Sequence, residues 1–266
     1  MIIDSKEILN KSYNFRRIIS LVPSLTELLS DLGVNEKVTG ITKFCVHPKK
    51  WFEGKTRVGG TKNVNVKIIR SLNPDLIIAN KEENSKKQIE ELLENYNIVL
   101  TDIHNLQEAL LSILHIGKLT GKDELSKKMI AQIKTKFDSL NLFLQNKTKA
   151  KAAYLIWQNP YMAAGGDTYI SDMMQYCGLR NIFSDIKRYP EITLDDIKNR
   201  ECEVLLLSSE PYPFKENHVE KIKKLLPGVK IILADGEMFS WYGSRLLKAA
   251  IYFKSFHQNL LIKNNN

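Results

Sequence analysis

The sequence predicts an α/β protein of two lobes with mainly parallel sheets, bridged by one long α-helix, with a ligand cleft between the lobes. Three observations carry that prediction. Short apolar runs of strand length alternate with helix-period stretches over residues 17–101 and again over 152–261, the pattern of βαβ units. Between them, residues 106–144 hold no proline, and Leu125, Met129, Ile133, Phe137, Leu140 and Leu144 recur at helical spacing. The two alternating regions also share one order, running from Asn73 to Asp102 and from Glu203 to Asp235: strand, acidic loop, helix, strand, Asp. The expected domains are an N-terminal α/β lobe at 1–105, a helical segment at 106–148 and a C-terminal α/β lobe at 149–266.

Each element has a local reason. Arg17 to Val22 reads as a buried strand ended by Pro23, and Ser24 with Glu27 reads as a capping box. Leu25, Leu28, Leu29 and Leu32 form a helical stripe that Gly33 stops. Val38 to Thr42 is a strand running into a loop from Lys43 to Pro48, and Val58 to Thr61 is a second loop. Helix 65–72, strand 75–79, helix 84–95 and strand 98–101 complete the first lobe. One helix ends near Gly121, and Asp123 to Leu144 would then span about 33 Å. In the second lobe, strands are expected at 152–157, 204–207 and 229–234. Helices are expected at 167–176, capped by Asp167, from Thr193, at 216–226, and from a Ser244 cap to about Leu261.

Composition narrows the function. Of 266 residues 43% are apolar and 26% charged, which is ordinary for a globular chain. No run of 18 apolar residues occurs, so no membrane-spanning helix is expected. The formal charge is +9, but the lysines are dispersed and lack the clustered footprint of a nucleic-acid binder. A positive field favours anionic ligands or an anionic surface. Three distant cysteines, Cys45, Cys177 and Cys202, make no disulfide framework. The first residues lack the apolar core of a secretory signal. The expected location is cytoplasmic as sequenced, or periplasmic or lipid-anchored once a leader is removed. A monomer is expected.

Ligands of α/β sheets gather at the carboxyl ends of the strands. All three tryptophans fall in such places: Trp51 near the Phe44–Pro48 loop, Trp157 at the start of a loop running to Met162, and Trp241 in the loop from Asp235 to Arg245. Phe44, Tyr161 and Tyr242 accompany them. Aromatic rings on loops suit a clamp for a flat ligand. Cys45 and His47, two residues apart, could share one metal or form a nucleophile pair, but no third ligand has the right spacing. They are the only metal candidates, and no metal site is expected. No phosphate-loop, dinucleotide, zinc-protease or nucleophile-elbow motif occurs, so no enzyme and no catalytic residue are expected. The helix after Gly165-Gly166-Asp167 could hold an anion, though a turn and cap explain it as well.

Several stretches together resemble one family. They are Arg17-Ile-Ile-Ser-Leu-Val-Pro-Ser-Leu-Thr-Glu27, Val58-Gly-Gly-Thr61, Leu72-Asn-Pro-Asp-Leu-Ile-Ile-Ala79, Cys177-Gly-Leu-Arg-Asn-Ile-Phe183, Arg188-Tyr-Pro-Glu-Ile-Thr193 and Trp241-Tyr-Gly-Ser-Arg245. The chain resembles the class III, helical-backbone substrate-binding proteins of cobalamin, haem and ferric-siderophore importers, closest to the cobalamin branch. The resemblance implies capture of a cobalamin-like or other metal-chelate ligand for ABC-type uptake, with no cofactor required. It implies a clamp of Phe44 with His47, the Gly59-Gly60 loop, the Trp157–Met162 loop with Tyr161, and Trp241. Trp51, Tyr242 and Arg245 join this set by position. It also implies docking on an ABC permease through one acid per lobe, for which Glu82, Glu83 and Glu210 stand nearest; Lys86 and Gly243 occupy places where acids are expected. The alternative is a cytosolic tetrapyrrole- or metal-handling enzyme or chaperone on the same fold, acting through Cys45 and His47.

Overall fold

The computed structural model describes residues 2–3 and 8–262. It divides into two compact units. The first comprises Met1–Ile103, Gln107–Gln132 and Tyr242–Arg245; the second comprises His104–Leu106, Ile133–Trp241 and Leu246–Asn266.

The first unit is built on a five-stranded, wholly parallel sheet in the order β3-β2-β1-β4-β5. Its strands are β1 (Ile18–Ser20), β2 (Val38–Ile41), β3 (Thr56–Arg57), β4 (Leu76–Asn80) and β5 (Ile98–Thr101). Strands buried on both faces read as continuous apolar runs, and Ile18, Ile19, Leu76, Ile77 and Ile78 are fully buried. Helices α1 (Pro23–Asp31), α2 (Lys49–Gly54), α3 (Val66–Leu72) and α4 (Lys86–Leu93) connect them. The expected Ser24–Glu27 capping box does not form. Pro23 is itself the first helical residue, so Ser24 lies inside the helix with no capping bond. Glu27 instead reaches Arg245.

Helices α5 (Leu106–Thr120) and α6 (Asp123–Leu144) follow. The long helix is one unbroken element of 22 residues, as the spacing predicts. It belongs to the first unit through Gln132 and to the second from Ile133. Its expected stripe is corrected at one end: Leu125 is 41% exposed, whereas Ile133, Phe137 and Leu140 are buried. A four-residue step overruns one helical turn by roughly 40°, so three such steps carry Leu125 off the buried face. Ser126 takes the inward place, opposite Gly117, where an added Cβ would lie 2.1 Å from its Oγ.

The second unit holds a mixed sheet in the order β11-β10-β6-β7-β9, with β8 paired to β6. The strands are β6 (Ala150–Trp157), β7 (Tyr161–Ala163), β8 (Leu179–Asn181), β9 (Glu191–Ile192), β10 (Val204–Ser208) and β11 (Lys230–Ala234). β6, β8, β10 and β11 run parallel, and β7 and β9 add antiparallel. Helices α7 (Tyr169–Tyr176), α8 (Leu194–Asn199), α9 (Glu216–Leu225), α10 (Gly236–Ser240) and α11 (Leu246–Ile262) complete it. Two expected caps shift. Thr168, not Asp167, caps α7, while Asp167 accepts from the Arg188 backbone N–H. Among the described residues the buried Ser244 hydroxyl has no hydrogen-bond partner, so it is not a cap. The Gly165-Gly166 pair lies against the Ser184, Ile186 and Arg188 carbonyls, which a Cβ would strike. This pair is therefore a packing requirement.

Candidate functional site

In the first unit the chain leaves β1 for α1 and leaves β4 on the opposite side, which makes the carboxyl end of this pair the topological switch point. Two asparagines order the loops there. Asn84 Nδ2 donates to the Leu21 and Thr61 carbonyls, and Asn80 Oδ1 accepts from the Glu82 and Glu83 backbone N–H groups. The Gly59–Val64 loop is tight: Gly59 has φ +103°, and a Cβ on it would lie 2.6 Å from the Asn63 carbonyl oxygen. The loop is tied to the one after β2 by the Lys43 N–H to Gly59 O bond of 2.8 Å. A Cβ on buried Gly60 would sit 3.3 Å from the Phe44 ring. The missing side chain leaves room for that ring, which is 51% exposed. His47 is half-buried on the same loop.

Cys45 is not part of this face. It is fully buried, with its sulfur 3.1 Å from Thr26 Oγ1 and 3.2 Å from Thr42 Oγ1. Burial pushes its thiol up, against the two threonine bonds, so a reactive or metal-binding thiolate is disfavoured. Among the described residues no group of three or more His, Cys, Asp or Glu side chains is placed to hold a metal ion. Trp51 is also withdrawn. It is 4% exposed on α2, so it offers no free face.

In the second unit the carboxyl ends of β6 and β10 carry an aromatic cluster. Trp157, 40% exposed, meets Tyr212 edge-on at 5.6 Å; Tyr212 meets Phe214 at 4.7 Å, and its hydroxyl lies 3.3 Å from His218 Nε2. Tyr161 and Met162 are half-buried on the adjoining β7, and burial pushes the Tyr161 phenol up. Tyr212, which packs on Trp157, was not among the residues expected at this face. It lies in the stretch Pro211-Tyr-Pro-Phe214, which spacing alone cannot pair with Trp157.

The Trp241–Arg245 segment differs most from expectation. Trp241 is 6% exposed, and its indole N–H donates to Glu210 Oε1 at 2.8 Å, beside the Ser240 hydroxyl at 2.6 Å. Burial, with Glu237 nearby, pushes the Glu210 carboxyl up. Gly236 is needed here, since a Cβ would lie 2.5 Å from Glu210 Cγ. Tyr242 turns the other way, into the first unit. It is 5% exposed and its hydroxyl donates to Glu83 Oε1 at 2.9 Å. Arg245 forms a bidentate, buried pair with Glu27, both bonds being 2.8 Å. Trp241, Tyr242 and Arg245 thus hold the fold and leave little surface to a ligand. Glu83 and Glu210 are half-buried and bonded within their own units, and Glu82 is half-buried, so none of the three stands out as a free acidic tip.

Two units with aromatic faces at the carboxyl ends of parallel strands, and one unbroken 22-residue helix, form the pattern the resemblance implies. A family model described as periplasmic binding protein matches residues 18–229. The chain belongs to the periplasmic binding protein family. The vitamin B12-binding protein of Vibrio campbellii is 26% identical to this family member over 196 residues, covering 73% of this chain and 70% of the relative. Among solved structures, the periplasmic vitamin B12 binding protein BtuF of Vibrio cholerae superposes with a TM-score of 0.78 at 18% identity, over 93% of this chain and 98% of the other. The periplasmic haem-binding protein RhuT from Roseiflexus sp. RS-1 superposes with a TM-score of 0.78 at 19% identity, over 93% of this chain and 99% of the other. Both share the fold of this periplasmic binding protein. The family and these neighbours are binding proteins, and no described helix is long and apolar enough to cross a membrane.

Proposed function

We propose that this periplasmic binding protein captures a metal chelate of the cobalamin, haem and ferric-siderophore class and delivers it to an ABC permease outside the cytoplasm. The observation that carries the reading is one exposed aromatic face at the carboxyl end of each unit's sheet, Phe44 at 51% and Trp157 at 40%. A planar macrocycle gains contact area and stacking from such rings. The names of its relatives, vitamin B12-binding and haem-binding proteins, support the same class. The buried, hydroxyl-bonded state of Cys45 weighs against the alternative of an enzyme using that thiol.

The test is a titration of the full chain with cyanocobalamin, haemin and ferric siderophores, followed by absorbance and tryptophan fluorescence. Binding is expected with strong quenching of Trp157, the exposed indole. Trp157→Ala is expected to weaken it about tenfold or more, with the melting temperature unchanged. Lack of binding by every chelate would remove the reading.

A further inference from the structure

We infer that Tyr212 is a ligand-contacting hydrogen-bond donor beside Trp157, its hydroxyl hydrogen directed by His218, and that it selects chelates with carbonyl oxygens on their rim. This rests on the function proposed above and narrows its ligand class.

The direction of the hydroxyl follows from two contacts of one imidazole. The Lys215 backbone N–H donates to His218 Nδ1 at 2.9 Å. A backbone N–H cannot accept, so Nδ1 presents its lone pair and the ring hydrogen sits on Nε2. Nε2 lies 3.3 Å from the Tyr212 hydroxyl. In this tautomer Nε2 donates and the phenol oxygen accepts. The hydroxyl's own hydrogen is left over and points away from His218. Among the described residues that hydroxyl has no polar partner besides His218.

The ring that carries it is held in place. The Tyr212 N–H donates to the Ile156 carbonyl, next to Trp157, and the Phe214 N–H donates to the Ser208 and Tyr212 carbonyls. Phe214, 5% exposed, and His218 pack on the tyrosine ring at 4.7 and 5.6 Å. Tyr212 itself is half-buried and stands 5.6 Å from the exposed Trp157 ring. A fixed O–H beside an open indole is already ordered, so a rim oxygen meets it at little entropic cost. A phenol donates to the neutral carbonyls of amides and esters as well as to carboxylates. An alkyl rim gives it no acceptor and takes water from it, which costs affinity. One neutral hydrogen bond amounts to about fivefold in affinity.

The experiment measures dissociation constants of the full chain in one buffer and detergent for three probes. Cyanocobalamin carries carboxamides on its rim, iron(III) mesoporphyrin dimethyl ester carries ester carbonyls, and iron(III) etioporphyrin carries alkyl groups only. The ester is expected to bind about fivefold tighter than etioporphyrin. Tyr212→Phe removes the hydroxyl and keeps the ring. It is expected to erase that preference, to weaken cyanocobalamin by a similar factor, and to leave etioporphyrin and the melting temperature unchanged. His218→Asn keeps an acceptor for the Lys215 N–H but is too short to reach the phenol. It is expected to weaken the carbonyl-bearing probes when Tyr212 is present and to change nothing further in the Tyr212→Phe background, the mark of coupled residues. Equal weakening of all three probes by Tyr212→Phe would make the phenol a metal ligand or a packing group. That result, etioporphyrin binding as tightly as the ester, carbonyl-bearing probes indifferent to Tyr212→Phe, or losses that simply add would overturn this inference while chelate binding stands. No binding by any of the three, nor by haemin or the siderophores, would overturn both.

Discussion

Glu27 and Arg245 lie 218 positions apart in the chain and meet inside the first unit, with side chains 11% and 7% exposed. A buried charge deprived of its partner costs far more than the pair contributes. Glu27→Gln is expected to destabilise the protein by about 3 kcal/mol or more, read as the urea midpoint at an unchanged slope. Arg245→Lys should recover only part of the loss when placed in the same assay, because an ammonium cannot reproduce the two-pronged bond. Trp241→Ala is expected to lower the melting temperature by removing a buried ring and one of the two hydrogen bonds to Glu210 Oε1, at about 3 kcal/mol. An unchanged melting temperature with lost ligand binding would instead return Trp241 to the ligand. Sequence reasoning separated these residues poorly for a physical reason. Phe44 and Trp241 both follow parallel strands, and position along a strand–loop boundary does not say which ring turns inward. Only the missing side chain of Gly60 under Phe44, and the Glu210 carboxylate opposite Trp241, distinguish the two.

The α5–α6 contact is set by a single missing methyl group. Gly117 faces Ser126 so closely that a Cβ would lie 2.1 Å from the hydroxyl. Gly117→Ala therefore trades a gain in helix propensity for overpacking that costs about 1–3 kcal/mol. The pair Gly117→Ala/Ser126→Gly should restore much of the stability in thermal melts; failure of that rescue would place the strain elsewhere. At this scale the sequence was informative where elements are long. Asp123–Leu144 falls at its expected bounds. Three-residue β7 and β8 and two-residue β3 and β9 left no readable period, since two or three positions cannot show an alternation. The helix α10 was hidden for a related reason: at five residues it looks like loop, and only the Asp235 side chain bonded to the Glu237 N–H marks its start.

Each unit carries a buried imidazole that prefers to be neutral. His115 in the first and His257 in the second are 8% and 3% exposed, and burial lowers both below the ordinary value near 6.5. Among the described residues His257 Nε2 has no partner, and Lys147 adds to the depression. The unfolded chain takes up protons at these rings before the native one does, so stability is present above pH 6.5 and lost as pH falls below it. Melting temperatures are expected to fall between pH 7.5 and 5.5, about where free imidazoles titrate, with a shallower fall in His257→Gln. A flat profile would contradict the neutral assignment. The duplicated order of strand, loop and helix made the two-unit plan legible, whereas the assignment of Tyr242–Arg245 to the first unit had no periodic signal at all. That assignment carries a consequence for biosynthesis. The ribosome finishes nearly the whole second unit before it delivers the tetrapeptide that neutralises Glu27 and caps Glu83. The amino-terminal unit must therefore wait, incompletely folded, for residue 245, and nascent chains shorter than that should be held by chaperones or cut by proteases at the α1 surface.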